Sequence, residues 1–433
     1  MILPSARAMW LWGGASLLFL TAWVEHRLAW IGAGADVLIL VAVVIDGLRA
    51  RRAQVALVRT APPTVYQGEA STFTWRLRNH GDVAVRVRVR DVLPAALADA
   101  SVDLDYALPA HTEVTHVEVL TPRARAQVSL TLAAGRVLGP AGLAWTERRL
   151  GEPVHVKVYP RVHHDGDAGI AIRAALERTA GSHLRNTTGP STEVASLRDY
   201  LPGDDYRGIQ WKATARRGKP VTAERAIEQR QRLAVLIDAG RPMAGADGAW
   251  TKLDHAMAAS IALARVASAW GDDVTLVLFS RTVRKVVRTT RTRDFPHVFE
   301  ALYQEQADGL EPDWDGLVGW CATGLPRRTF TVVCTSLVDP GTTERLSRAL
   351  TALARRHRPL LVNLADPAIA AAAQTIPGDA AAAFAKVTAM GIEEDTRALE
   401  LRLRAAGVTS VSVPADRLTL GMLRGWMELK ARG

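Results

Sequence analysis

Hydrophobic and polar positions fall into three regimes along the chain. From Met9 to Val24 the run MWLWGGASLLFLTAWV carries no ionisable residue, and a second run, LAWIGAGADVLILVAVVIDGL, covers Leu28 to Leu48. Each is near the ~20 residues that cross a hydrocarbon core ~30 Å thick. The pattern predicts a two-helix transmembrane hairpin over residues 1–50, turning at Glu25, His26 and Arg27. Trp10, Trp12, Trp23 and Trp30 sit near the run ends, where interfacial aromatics belong. A cleaved signal peptide is the alternative for the first run, but a second apolar run follows at once.

Over residues 55–160 the period changes to two. Short alternating runs (Thr72 to Leu77, Val83 to Val92, Val114 to Leu120, Gln127 to Leu132, Val154 to Tyr159) are broken by Pro, Gly and Asn clusters. This spacing predicts an immunoglobulin-like β-sandwich. Residues 161–231 read as a linker holding one dense motif. From 232 to 433 apolar runs alternate with helical segments: strands at Leu233–Ile237, Val274–Phe279, Val283–Val287, Phe330–Cys334, Leu360–Leu364 and Val408–Val413. Helices are expected near 252–270, 294–306, 342–356, 391–406 and 415–430. Such alternation predicts an α/β doubly wound, mostly parallel sheet, with ligands at the carboxyl ends of its strands. The chain is thus read as multi-domain.

Charge adds orientation. Arg7 precedes the first run and Arg49, Arg51, Arg52 and Arg59 follow the second, against Arg27 alone in the turn. The positive-inside rule then puts both ends of the hairpin, and everything after residue 50, in the cytoplasm. The net charge of +10 suits a chain beside an anionic leaflet better than a nucleic-acid binder, because no basic cluster is interleaved with aromatics. Asp36 lies inside the second run; a protonated or hydrogen-bonded side chain facing the first helix, where Gly13, Gly14 and Ser16 allow close approach, is favoured over a functional role. Cys321 and Cys334 show no metal-ligand spacing and read as buried reduced thiols.

The run Val85-Arg86-Val87-Arg88-Val89-Arg90 puts three valines in the sandwich core and three arginines outside. That face could dock on acidic protein or lipid. With nothing aromatic accompanying it, a solvated sheet face is the simpler reading.

Residues 186–217 read NTTGPSTEVASLRDYLPGDDYRGIQWKATARR. Pro202-Gly203 suits a type II turn, after which Asp204 or Asp205 could cap a short helix. Arg198, Arg207 and Arg216 offer guanidinium forks for those carboxylates, and Ile209 and Trp211 an apolar anchor. A catalytic pair at Asp204-Asp205 is disfavoured: adjacent residues do not face each other and no nucleophile accompanies them. The order Gly189, Glu193, Leu197, Arg198, Tyr200, Pro202, Gly203, Asp204, Asp205, Arg207, Ile209, Trp211, Ala215, Arg216 resembles the motif of the bacterial family called domain of unknown function 58. The resemblance implies a membrane hairpin, a β-rich region and a von Willebrand factor A-like domain. It also implies a MoxR-type AAA+ ATPase as partner.

In metal-binding A domains the first strand ends in Asp-x-Ser-x-Ser. Here the stretch is Asp238-Ala239-Gly240-Arg241-Pro242, and Thr335-Ser336 stand where the related pattern has Ser-Asp, with Asp339 farther on. A hard cation wants several oxygens, so Asp238 is read as the remnant of a degenerate metal site; whether Asp313 or Asp315 approaches it is open. No HExxH, CxxC pair, phosphate loop or triad motif occurs, and His163-His164 is the only histidine doublet. The expectation is a non-enzymatic adaptor or scaffold, without cofactor or nucleic acid, at the bacterial inner membrane, working with the ATPase in protein assembly or remodelling. The alternatives are an envelope-associated hydrolase and a metal-dependent adhesion module.

Overall fold

The computed structural model describes residues 1–21, 26–161, 169–170, 173–174, 194–201, 206, 209–225, 231–337 and 340–431. They divide into two compact units, Met1–Arg161 and Val162–Gly433.

The first unit opens with a short strand, β1 (Ile2–Pro4), then helices α1 (Ala6–Thr21) and α2 (His26–Arg52), packed against one another. Within α2, Trp30–Arg52 is long and apolar enough to cross a membrane, and it is the one such helix among the described residues. Ten strands follow: β2 (Val55–Thr60), β3 (Val65–Tyr66), β4 (Ser71–Asn79), β5 (Val85–Val92), β6 (Ser101–Leu108), β7 (Glu113–Leu120), β8 (Ala126–Leu130), β9 (Ala133–Leu138), β10 (Ala144–Leu150) and β11 (Val154–Tyr159). With β1 they form a five-stranded antiparallel sheet β1-β10-β9-β5-β6 and two three-stranded sheets, β2-β4-β7, which is antiparallel, and β3-β11-β8, in which β3 and β11 run parallel. Val85, Val87 and Val89 point inward against Phe73, Trp75, Leu77, Leu104 and Val137, as period two requires.

Two polar groups inside this unit organise it. Asp46, in the last two turns of α2, is buried, and its carboxylate accepts the backbone N–H groups of Ala141 (2.8 Å) and Leu143 (2.8 Å) in the β9–β10 turn and of Ala144 (3.0 Å) at the start of β10. The carboxylate lies so close over Gly139 that any Cβ there would overlap it. Arg59, counted above among the cations flanking the membrane, is instead buried in the sandwich. It pairs with Asp91 (3.1 Å) and donates to the Thr131 and Glu152 carbonyls, while the Trp75 indole N–H also donates to Asp91 (2.8 Å).

Among the described residues, the glycines expected to face Asp36 show no close approach: a Cβ on Gly13 or Gly14 would meet nothing within 4 Å. Asp36 keeps one buried oxygen without a hydrogen-bond partner among the described residues.

In the second unit β12 (Val194–Asp199) and β13 (Val221–Arg225) pair antiparallel around α3 (Trp211–Arg217). Then come β14 (Arg232–Asp238), a two-residue ladder of β15 (Ala246–Asp247) and β16 (Trp250–Thr251), and α4 (Lys252–Ala269). The remainder runs β17 (Asp273–Phe279), β18 (Val283–Thr289), α5 (Phe295–Leu302), α6 (Trp314–Gly324), β19 (Phe330–Thr335), α7 (Pro340–Ala354), β20 (Arg358–Leu364), α8 (Pro367–Gln374), α9 (Ala380–Ala405), β21 (Thr409–Val413) and α10 (Leu418–Ala431). The sheet order is β18-β17-β14-β19-β20-β21, parallel except for β18. Both faces are covered, one by α4, α5 and α10 and the other by α6, α7 and α9. That double cover is why the central strands are apolar runs rather than alternating ones.

Candidate functional site

The strand order reverses between β14 and β19, and in such sheets the crevice beyond the carboxyl ends at that point is the usual ligand site. Asp238 ends β14 there, fully buried. One carboxylate oxygen accepts the Gly240 N–H (2.8 Å) and the other the Thr335 hydroxyl (2.6 Å). Burial pushes its pKa up to about 6 against those two bonds, and the nearby Asp308 and Glu311 push the same way.

A segment around 307–312 lies directly on this stretch. The Arg241 N–H donates to the Leu310 carbonyl (2.7 Å), and the Asp308 N–H to the Ala239 carbonyl (3.0 Å). A Cβ at Gly240 would come within 2.6 Å of the Leu310 oxygen, so only glycine admits this approach. Side chains pin the segment: the Ser280 hydroxyl donates to Asp308, and Arg241 pairs with Glu311 (2.5 Å). Asp313 accepts the Gly316 N–H (3.0 Å) as N-cap of α6, and Asp315 sits in the first turn of that helix. Asp313 is therefore occupied as a cap.

On the other side of the switch point stands a residue the sequence reading passed over. Lys252 opens α4 and is buried; its ammonium meets the Ser336 hydroxyl (3.2 Å) and the Asp366 carboxylate (3.1 Å). Ser336 in turn donates to the Leu364 carbonyl (2.9 Å). Burial alone would raise the Asp366 pKa, but the bonds from Lys252 and the Ala368 N–H, with the Lys252 charge, hold it below the usual range. A clue was present: Thr251 and Asp254 form a capping box around α4's start, and a cation at a helix N-terminus runs against the macrodipole. It belongs there only with a carboxylate to meet.

A divalent cation does not fit these residues. Both Asp238 oxygens are engaged, Gly240 and Pro242 bring no side-chain oxygen, the Leu310 carbonyl occupies the space over Gly240, and Lys252 adds a fixed positive charge at Ser336. Among the described residues no cluster of three or more His, Cys, Asp or Glu could hold a metal. Cys321 and Cys334 are free and buried, with both thiols pushed up to about 12, chiefly by burial.

The motif segment is only partly visible. Gly189, Glu193, Pro202, Gly203, Asp204, Asp205 and Arg207 lie outside the described residues, as do His163-His164 and Asp339. Arg198 falls in β12. The Tyr200 N–H donates to the Pro220 carbonyl (2.9 Å), and Ile209 bridges to Thr222. Trp211 does not anchor the segment: it begins α3 with 70% of its surface exposed, and Arg216 on the same helix is exposed. No residue of α3 is buried; a left-handed C-cap at Gly218 ends it, and the Thr214 hydroxyl accepts the Val221 N–H (3.1 Å), tying the helix to β13.

Residues 196–389 match the family model described as "Protein of unknown function DUF58". The chain is 24% identical over 190 residues to the uncharacterized protein Rv1480 of Mycobacterium tuberculosis and, equally, to the uncharacterized protein Mb1516 of Mycobacterium bovis. Each alignment covers 43% of this chain and 59% of the relative, so the chain spans about three fifths of the curated relatives it matches. Among solved structures, the CARDB domain of PF1109 from Pyrococcus furiosus is similar over 24% of this chain and 88% of its own, at 13% identity and TM-score 0.18. The putative ApaA protein of Bordetella pertussis matches over 25% of this chain and 95% of its own, at 12% identity and TM-score 0.17. The stretch matched by the family model falls within the second unit.

Proposed function

We propose that this chain is a membrane-anchored, cytosol-facing adaptor: α1 and α2 form a transmembrane hairpin, and the second unit is a von Willebrand factor A-like docking module with a degenerate cation site. Its partner in this reading is a MoxR-type AAA+ ATPase acting in protein assembly or remodelling. The observation that supports it best is where the module closes and where it stays open. Its ligand crevice is filled by its own groups, Lys252 and the segment over Gly240, whereas the α8–α9 hairpin presents Ile376, Phe384 and Val387 at 88%, 76% and 70% exposure. Large apolar side chains grouped on an exposed surface mark interaction sites.

The test is purification of the tagged full-length chain from native membranes. A MoxR-type ATPase should accompany wild type and be lost with Phe384→Asp combined with Val387→Asp. A wild-type preparation devoid of any such ATPase overturns the partnership; equal recovery with the variant overturns this docking face.

A further inference from the structure

The outer face of the sheet β1-β10-β9-β5-β6 carries more than the three arginines of β5. Register places Asp105, Arg88, Arg136 and Glu147 in one row across four strands. The next row out is Asp103, Arg90, Ala134 and Arg149. The row nearer the helices holds Arg86, Leu138, Trp145 and Leu3. Five guanidiniums thus face three carboxylates. Asp105 serves both Arg86 (2.8 Å) and Arg88 (2.9 Å), Arg136 takes Glu147 (2.7 Å), and Arg90 reaches Asp103 at only 3.5 Å. Arg149 has no ion pair among the described residues. A depression of about 720 Å³ lies between these groups, with Ala134 and Gly135 in its lining. An aromatic does accompany the face, supplied by β10: the Arg88 guanidinium lies 4.9 Å over the Trp145 ring.

The position of this face in its unit matters as much as its charge. Trp145 follows Ala144, whose N–H is held by Asp46 of α2, and pairs with Leu3, three residues before α1 begins. At about 3.3 Å per residue, the Arg88–Arg136 row lies roughly 7 Å and the Arg149 row roughly 13 Å beyond Trp145. A headgroup layer is on the order of 5–7 Å deep on each side of the hydrocarbon, within reach of long arginine side chains. Surface pairs with Asp105 and Glu147 are weak enough to be exchanged, and a phosphodiester takes guanidinium forks in the same bidentate way.

We propose that this arginine–tryptophan face binds the phosphate headgroups of anionic phospholipid in the leaflet where α1 and α2 are anchored. The proposal rests on the transmembrane reading of those helices. Trp145 sits at the interface, Arg88 and Arg136 take the phosphate, and Arg149 adds unpaired charge above it.

The full-length chain, reconstituted in nanodiscs of phosphatidylcholine mixed with phosphatidylglycerol, is compared with Arg88→Gln/Arg136→Gln/Arg149→Gln by weighing the lipids that stay bound. Phosphatidylglycerol should be enriched around wild type and the enrichment should fall by about tenfold or more in the variant, since each of the three basic residues near a surface contributes a several-fold preference. Free inorganic phosphate should not displace the lipid. The second variant, Arg88→Lys/Arg136→Lys/Arg149→Lys, should keep most of the enrichment, which separates lost charge from lost folding. Equal enrichment in wild type and the glutamine variant overturns the proposal, as does a face that retains an acidic protein without lipid preference. Carbonate extraction isolates the premise: a wild-type chain released as soluble protein overturns both the anchor and the lipid site, whereas a retained chain without enrichment overturns the lipid site alone.

Discussion

Asp238 and Asp46 are both buried carboxylates with good hydrogen bonds, yet they act in opposite directions on what the protein tolerates. Burial lifts the Asp238 pKa to about 6, above the ~3.9 of an unfolded chain. Between those values the folded state holds the proton more tightly. The stability this gives is complete below the unfolded value and lost as pH rises through about 6, on the order of 3 kcal/mol by pH 8. Asp238→Asn can still accept from Gly240 and donate to Thr335. It should therefore melt several degrees above wild type at pH 8 and about level with it at pH 4; melting below wild type at pH 8 would mean the ionised carboxylate is required. Titration calorimetry with Mg²⁺ or Mn²⁺ should show no site tighter than ~100 µM, a range in which oxygen-ligand sites operate. Asp46 instead satisfies three backbone N–H groups. Asp46→Ala should cost about 3–5 kcal/mol, from several buried donors left unmet, seen as earlier proteolysis of the sandwich in detergent. Single positions were unevenly legible. Asp238 is marked by the end of an apolar strand. Asp46 hides inside an apolar run, because its partners are backbone groups about 95 residues away, which no side-chain pattern reveals. Lys252 finds its carboxylate 114 positions on, equally out of local view.

Among the elements, periodicity served best where side chains differ most from one face to the other. β5, with valine inside and arginine outside, is the clearest case. It served least where composition is uniform. The reading begins a helix near 391, whereas α9 starts at Ala380: the run Ala380 to Ala383 has high helix propensity but no apolar stripe to count. α6 was missed because Gly316, Gly319 and Gly324 interrupt its pattern, though Asp313 caps it. The same alternation in β2 makes a sharp prediction about two arginines. Arg59 is buried with Asp91, so Arg59→Ala strands a carboxylate and should cost about 3–5 kcal/mol. Arg88, exposed on β5, should cost about 1 kcal/mol or less on truncation. Melting both variants of the full chain beside wild type checks the ordering; equal costs would show that Asp91 finds another partner.

For the whole molecule, changes of period mark four segments, with residues 1–50 and 161–231 standing apart, whereas the structure divides into two units, Met1–Arg161 and Val162–Gly433. The outer face of the first sheet could not be read at all. Its five arginines and Trp145 come from three strands, and only register brings them together. Topology gives the molecular-scale prediction. β1 pairs with β10, so the segment before α1 and the sandwich after α2 stand at the same end of the helix pair. In the proposed membrane setting a thiol tag at the carboxyl terminus of intact cells should resist an impermeant reagent. Labelling from outside would reverse the orientation and move every later domain across the bilayer.

That pairing also sets a timetable for biogenesis. Ile2 is matched with Thr146, so β1 waits for a partner translated some 140 residues later, roughly 7–30 s at ordinary elongation rates. Both apolar helices leave the ribosome within that interval. The nascent chain must commit them while the sheet edge they flank does not yet exist, and the late closure of β1 onto β10 becomes the step that locks the helices to the sandwich. Stalled chains carrying Leu3→Cys and Trp145→Cys should crosslink only once β10 has cleared the exit tunnel.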